Sequence, residues 1–113
     1  MIKIYHNNRC SKSRMGVAHL EASGKPFEII NYLEDSLNPK ELNEILNLLQ
    51  IPAIDLVRKN EKIWKEKYKN GSYSDDELVK IMVENPKLIE RPIIVNQRKA
   101  VIGRPTENIN SIL

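Results

Sequence analysis

Ile2-Lys3-Ile4-Tyr5-His6-Asn7-Asn8-Arg9-Cys10-Ser11-Lys12-Ser13-Arg14 is the stretch that decides the fold. Residues 2–5 alternate in a strand pattern, with Ile2 and Ile4 on one face. His6 to Cys10 is a polar loop, and a helix opens at Cys10 or Ser11. That helix is expected to reach about Ser23, with Met15, Ala18 and Ala22 as its apolar stripe. Gly24 supplies a C-terminal stop, and Pro26 blocks continuation. Phe27-Glu28-Ile29-Ile30-Asn31-Tyr32 then reads as a second strand. A strand, a helix and a strand in this order predict a right-handed parallel unit.

Outward from this unit the signals stay strong. Asn38 is placed to cap a helix, Pro39 to occupy its first turn, and Glu41 to complete a capping box. Leu42, Ile45, Leu46 and Leu49 recur on one side of it. Residues 53–69 read as helical but broken, with Trp64 and Tyr68 as packing residues. After the turn Asn70-Gly71-Ser72, Ser74-Asp75-Asp76-Glu77 is a second capping box. It opens a helix to about Glu84 that buries Leu78, Ile81 and Met82, and Asn85-Pro86 closes it. Pro92-Ile93-Ile94-Val95 is a short, central apolar strand; a turn at 96–99 returns Ala100-Val101-Ile102 beside it as a hairpin. A last short helix turns Ile109 and Ile112 inward. The expected architecture is one α/β domain over 1–113, with a four-stranded mixed sheet and an enlarged helical insert at about 38–90.

Composition bounds the function. A chain of 113 residues with 41% hydrophobic and 29% charged residues buries one core and is not disordered. Its single cysteine excludes an internal disulfide and favours a reducing, cytoplasmic setting. No apolar run has the length of a signal peptide core or a membrane span. The net charge of +3 is spread among acids, as in Glu61-Lys62-Ile63-Trp64-Lys65-Glu66-Lys67, which reads as a solvated helix face. Nucleic-acid binding has no motif behind it, whereas a small anion would be attracted. One Cys and two His do not make a metal site.

Cys10 is the candidate nucleophile. A lone cysteine is ordinarily a small, inert core residue. This one lies at a helix N-terminus, where partial positive charge and unpaired N–H groups favour the thiolate. Its neighbours Arg9, Lys12 and Arg14 are basic, which is poor company for a buried structural thiol. The N–H groups of Ser11, Lys12 and Ser13 are placed to form a nest for an oxyanion, with the Ser13 hydroxyl beside them. His6, four residues before the cysteine, reads equally as a strand-end residue or as an imidazolium that depresses the thiol pKa. His19 reads as a helix-surface residue. The Arg91-Pro92 pair precedes a buried strand, where a proline is expected only at a tight turn, and X–Pro bonds are the ones that adopt cis.

Taken together, Ile4 to Arg14, Tyr32-Leu33-Glu34, Leu56-Val57-Arg58-Lys59-Asn60, Arg91-Pro92-Ile93-Ile94-Val95 and Gly103-Arg104-Pro105-Thr106 resemble the ArsC family of glutaredoxin-coupled arsenate reductases. The resemblance runs in order over nearly the whole chain and implies a thioredoxin/glutaredoxin-like fold. It implies that Cys10 attacks arsenate and that Arg58, Arg91 and Arg104 hold the oxyanion. It further implies that His6 and Ser13 tune the thiol and that Pro92 is the fold's cis-proline. Standing alone, each of these arginines reads as a surface charge. With no second cysteine in the chain, the resolving thiol is expected from outside, as glutathione with glutaredoxin, and no cofactor is expected to be bound.

One departure from the family pattern is plain: Asn8 stands where proline is usual. The Ser11-Lys12-Ser13 stretch is closer to a less characterised branch of the family than to its best-known resistance enzymes. Two other readings compete. A glutaredoxin-like thiol protein with another substrate would need Cys10 but not three arginines. The Spx-type regulators, which bind RNA polymerase, are similar over the same length and share the Arg-Pro pair. They typically carry a two-cysteine switch, and here the second position is Ser13.

Overall fold

The computed structural model describes all 113 residues and divides them into two units, one of Met1–Asp35 with Arg91–Leu113 and one of Ser36–Glu90. In the first unit, alternation over β1 (Ile2–His6) sends Ile2 and Ile4 to one face of a sheet. β1 pairs in parallel with β2 (Phe27–Asn31) and antiparallel with β3 (Ile93–Asn96), which pairs antiparallel with β4 (Lys99–Ile102). The order β2-β1-β3-β4 makes the apolar β3 a central strand, as its composition predicts. Ile2, Ile4 and Ile94 pack with Leu20 of α1 (Ser11–Ser23) and with Ile109 and Ile112 of a terminal 3-10 helix, Thr106–Ile112.

The buried face of α1 differs from the expected one. Met15 is 47% exposed, and Ala18 and Ala22 also face solvent. The inward residues are Ser13, Gly16 and Leu20, with Val17 packed beside them. These follow the i, i+3, i+4, i+7 rule, but two of the four are not apolar, so the stripe does not stand out in the sequence. The helix lies too close to the sheet for larger side chains. A Cβ on Gly16 would fall 3.0 Å from Pro92 Cγ and 3.1 Å from Ile4 Cδ1. Gly24 ends the helix in the left-handed region at φ 75°, as its place after Ser23 predicts.

In the second unit, α2 (Pro39–Leu49) and α3 (Asp75–Glu84) each begin with the expected capping box, Asn38 with Glu41 and Ser74 with Glu77. α2 buries Leu42, Ile45 and Leu46, while Leu49 is only half-buried; α3 buries Val79 besides Leu78, Ile81 and Met82. The broken segment resolves into a 3-10 turn at Ala53–Leu56 and a π-helical turn at Trp64–Tyr68. Trp64 is buried, with ring centroids 5.8 Å from Tyr68 and 6.2 Å from Tyr73. Val57 bridges Ile89, and the flanking backbone bonds, Arg58 N–H to Leu88 O at 2.7 Å and Glu90 N–H to Leu56 O at 2.9 Å, hold this short pairing.

Candidate active site

Strand register gathers the site. Tyr5 faces Ile93 across the β1–β3 ladder, and Ile93 faces Ile102 across β3–β4. The loop after β1, the Arg91-Pro92 entry to β3 and the Gly103-Arg104 exit of β4 therefore meet at one end of the sheet. Gly103 N–H donates to Pro92 O at 2.9 Å, and Arg104 Nε donates to Arg91 O at 2.7 Å. The Arg91–Pro92 peptide is cis, as the resemblance implied, and so is Arg104–Pro105, which was not foreseen. A Cβ on Gly103 would meet Pro92 Cγ and Ile94 Cδ1 at 3.0 Å each, so Pro92 is enclosed by Gly16 on one side and Gly103 on the other.

Cys10 is the N-cap residue of α1, with extended backbone and no side-chain capping bond. Its sulfur is therefore left to other donors. Arg104 Nη2 lies 3.4 Å from Sγ. Partial burial by itself raises the thiol pKa, but the Ser13 N–H, the hydrogen bond from Arg91, the Lys12 N–H and the charge of Arg91 together outweigh it. The net result is a thiol held below its ordinary value. Two of the three N–H groups expected to cradle an oxyanion thus serve the sulfur itself.

His6 and Ser13 are buried and joined, with Nδ1 to Oγ at 2.8 Å, and Asn7 N–H donates to the same Oγ at 3.0 Å. Burial lowers the imidazole pKa, a backbone hydrogen bond with Ser13 opposes this, and the charge of Arg14 lowers it further. The net direction is down, so the ring is neutral near neutral pH. This corrects the imidazolium reading: the positive charge near the sulfur is carried by guanidinium groups. A neutral ring leaves Nδ1 free to accept the Ser13 hydroxyl proton, which an imidazolium cannot do.

Five of the six residues singled out, Cys10, His6, Ser13, Arg91 and Arg104, thus stand together at this end of the sheet. Arg58 belongs to the second unit, where its Nη1 lies 3.1 Å from Glu90 Oε1 and its Nε 3.5 Å from Glu61 Oε1. The sequence reading passed over Asn7, which is 5% exposed and makes three hydrogen bonds in the loop before the cysteine. Its signal was only the general habit of Asn to bond the backbone two residues on.

A single cysteine at the cap of the first helix, faced by a cis-proline and two guanidinium groups on a mixed four-stranded sheet, defines a thiol protein of the thioredoxin-like fold. Within that fold the chain belongs to the ArsC family, whose model matches residues 5–112. It is 42% identical over 114 residues to the uncharacterized protein YfgD of Escherichia coli (strain K12), covering 99% of this chain and 96% of that protein. It is 39% identical to the arsenate reductase of Neisseria meningitidis serogroup A, over 99% of this chain and 97% of the relative. The solved structure of the arsenate reductase from Vibrio cholerae superposes with a TM-score of 0.94 at 41% identity, covering 99% of this chain and 97% of that one. No helix is long and apolar enough to cross a membrane.

Proposed function

We propose that this protein is a cytoplasmic, thiol-dependent arsenate reductase whose nucleophile is Cys10. The observation that carries the reading is the Arg104 guanidinium 3.4 Å from the Cys10 sulfur, with Arg91 also bonded to it. Reductases named for arsenate among the full-length relatives support the choice of oxyanion.

In this reading the Cys10 thiolate attacks arsenic, forming an S–As bond, and hydroxide leaves as water after taking up a proton. Arg91 and Arg104 neutralise the oxyanion and the charge that develops on it; Arg58 is the third such group. The planar fork of Arg matches two oxygens of a tetrahedral anion, which Lys does not. An external thiol then attacks the Cys10 sulfur. The S–As electron pair stays on arsenic, which departs as As(III), and a mixed disulfide remains on Cys10. A further external thiol reduces that disulfide and restores Cys10. The chain supplies only one of the thiols required, so glutathione with glutaredoxin is the proposed donor.

The test is turnover of arsenate with glutathione and glutaredoxin, measured for the parent and for Cys10→Ser. The parent should produce arsenite, and the folded serine variant should produce none. Equal turnover by the serine variant removes Cys10 from the reaction. Turnover that depends on glutathione disulfides but not on arsenate would reassign the substrate.

A further inference from the structure

Cys10 is the N-cap of α1 and makes no capping bond with its side chain, and the two residues before it, Asn8 and Arg9, are exposed. Packing therefore does not fix the approach of the chain to the nucleophile. Hydrogen bonds must do so, and three of them come from one residue. Asn7 O accepts the Cys10 N–H at 3.0 Å, closing a four-residue turn from Asn7 to Cys10. Asn7 Oδ1 accepts the Arg9 N–H at 3.0 Å inside that turn. Asn7 N–H donates at 3.0 Å to Ser13 Oγ, which ties the turn to the first turn of α1 and, through the same oxygen, to His6. Asn7 is buried, so its amide is held in place by its surroundings. A further tie on this loop, Arg14 Nη1 to Asn8 O at 2.9 Å, is exposed.

We infer that Asn7 is a positioning residue for the nucleophile: its side chain fixes the turn that delivers the Cys10 sulfur to Arg91, Arg104 and the first N–H groups of α1. The backbone bonds of residue 7 survive any substitution except proline, but the bond to Arg9 needs a side-chain acceptor. Without it the Arg9 N–H turns to water, the turn loosens, and the sulfur samples positions away from its donors. Asn7 touches no reacting atom in this scheme. The inference rests on Cys10 being the nucleophile and is independent of the oxyanion it attacks.

The experiment is the pH dependence of Cys10 alkylation by iodoacetamide in the full chain, compared for the parent, Asn7→Ala and Asn7→Ser. The alanine variant should be alkylated several-fold more slowly at neutral pH, with its midpoint moved upward. Serine supplies a hydroxyl acceptor for the same kind of turn and should bring the midpoint back toward the parent's. A residue that merely fills space would lower the melting temperature and leave the pH profile alone. An alanine variant with the parent's profile, or a serine midpoint no lower than alanine's, overturns the inference. Should the alanine variant not fold, amide exchange in the parent decides. Arg9 and Cys10 should exchange more slowly than Asn8, and equal exchange at all three overturns the inference. Neither measurement uses arsenate, so its result stands apart from the reductase reading.

Discussion

Arg91 is the residue whose loss should be felt most directly at the sulfur. It is 8% exposed, leads through the cis bond into β3, and stabilises the Cys10 thiolate both by a hydrogen bond and by its charge. A hydrogen bond to a charged group is stronger than one between neutral groups, so it favours the thiolate over the thiol. Arg91→Ala should therefore raise the Cys10 midpoint, because both the hydrogen bond and the charge that favour the thiolate are lost. Arg91→Lys should recover only part of this, because a point charge lacks the guanidinium fork. Thiolate absorbance against pH measures both, and an unmoved midpoint in the alanine variant would take Arg91 out of the site. Stability follows in a fixed direction. The folded Cys10 pKa is depressed, so between it and the unfolded value only the unfolded chain holds the proton. The stabilisation is complete above the unfolded value and is lost as pH falls through the folded one. His6, also depressed, adds a second loss as pH drops below the ordinary imidazole value. At this scale the departure at Asn8 is also understood. Asn8 is the second residue of the Asn7–Cys10 turn, a place where proline is favoured and Asn is tolerated.

At the scale of elements, α1 and β3 set the tolerances. Gly16 lets the helix approach Pro92 and Ile4 more closely than any side chain would allow. Gly16→Ala gains about 1 kcal/mol of helix propensity but forces a Cβ to 3.0 Å from a proline ring fixed in the backbone. Overpacking of this kind costs about 1–3 kcal/mol, so the substitution should be net destabilising by up to about 2 kcal/mol. Chemical denaturation measures it, and a more stable alanine variant would mean that the helix has room to move. The same contact explains which parts of the fold were legible in the sequence. Capping boxes, the Gly24 stop and the β3–β4 hairpin are local rules, written in adjacent residues. The buried face of α1 is set by distance to another element, and the two residues that meet that distance, Ser13 and Gly16, carry no apolar signal. The π-helical turn at Trp64–Tyr68 likewise depends on ring packing with Tyr73 and not on a spacing that can be read along the chain.

At the scale of the whole molecule, the site is made by convergence. Cys10, Arg91 and Arg104 lie in three separate segments, and only the sheet order β2-β1-β3-β4 brings these segments to one end. Spacing along the chain could not show this. The resemblance to a family singled out the residues, and the register gives the physical reason that five of the six stand together. Arg58 is held in its own unit by Glu61 and Glu90. The net charge of +3 favours the arrival of an anion at any such site. Two guanidinium groups and a helix terminus favour the thiolate form of the sulfur. Titration of the Cys10 thiolate by ultraviolet absorbance in the intact protein tests this most directly. The midpoint should fall clearly below the free-thiol value of about 8.5. A midpoint at or above that value would contradict the account, because the thiol would then be protonated when the oxyanion arrives.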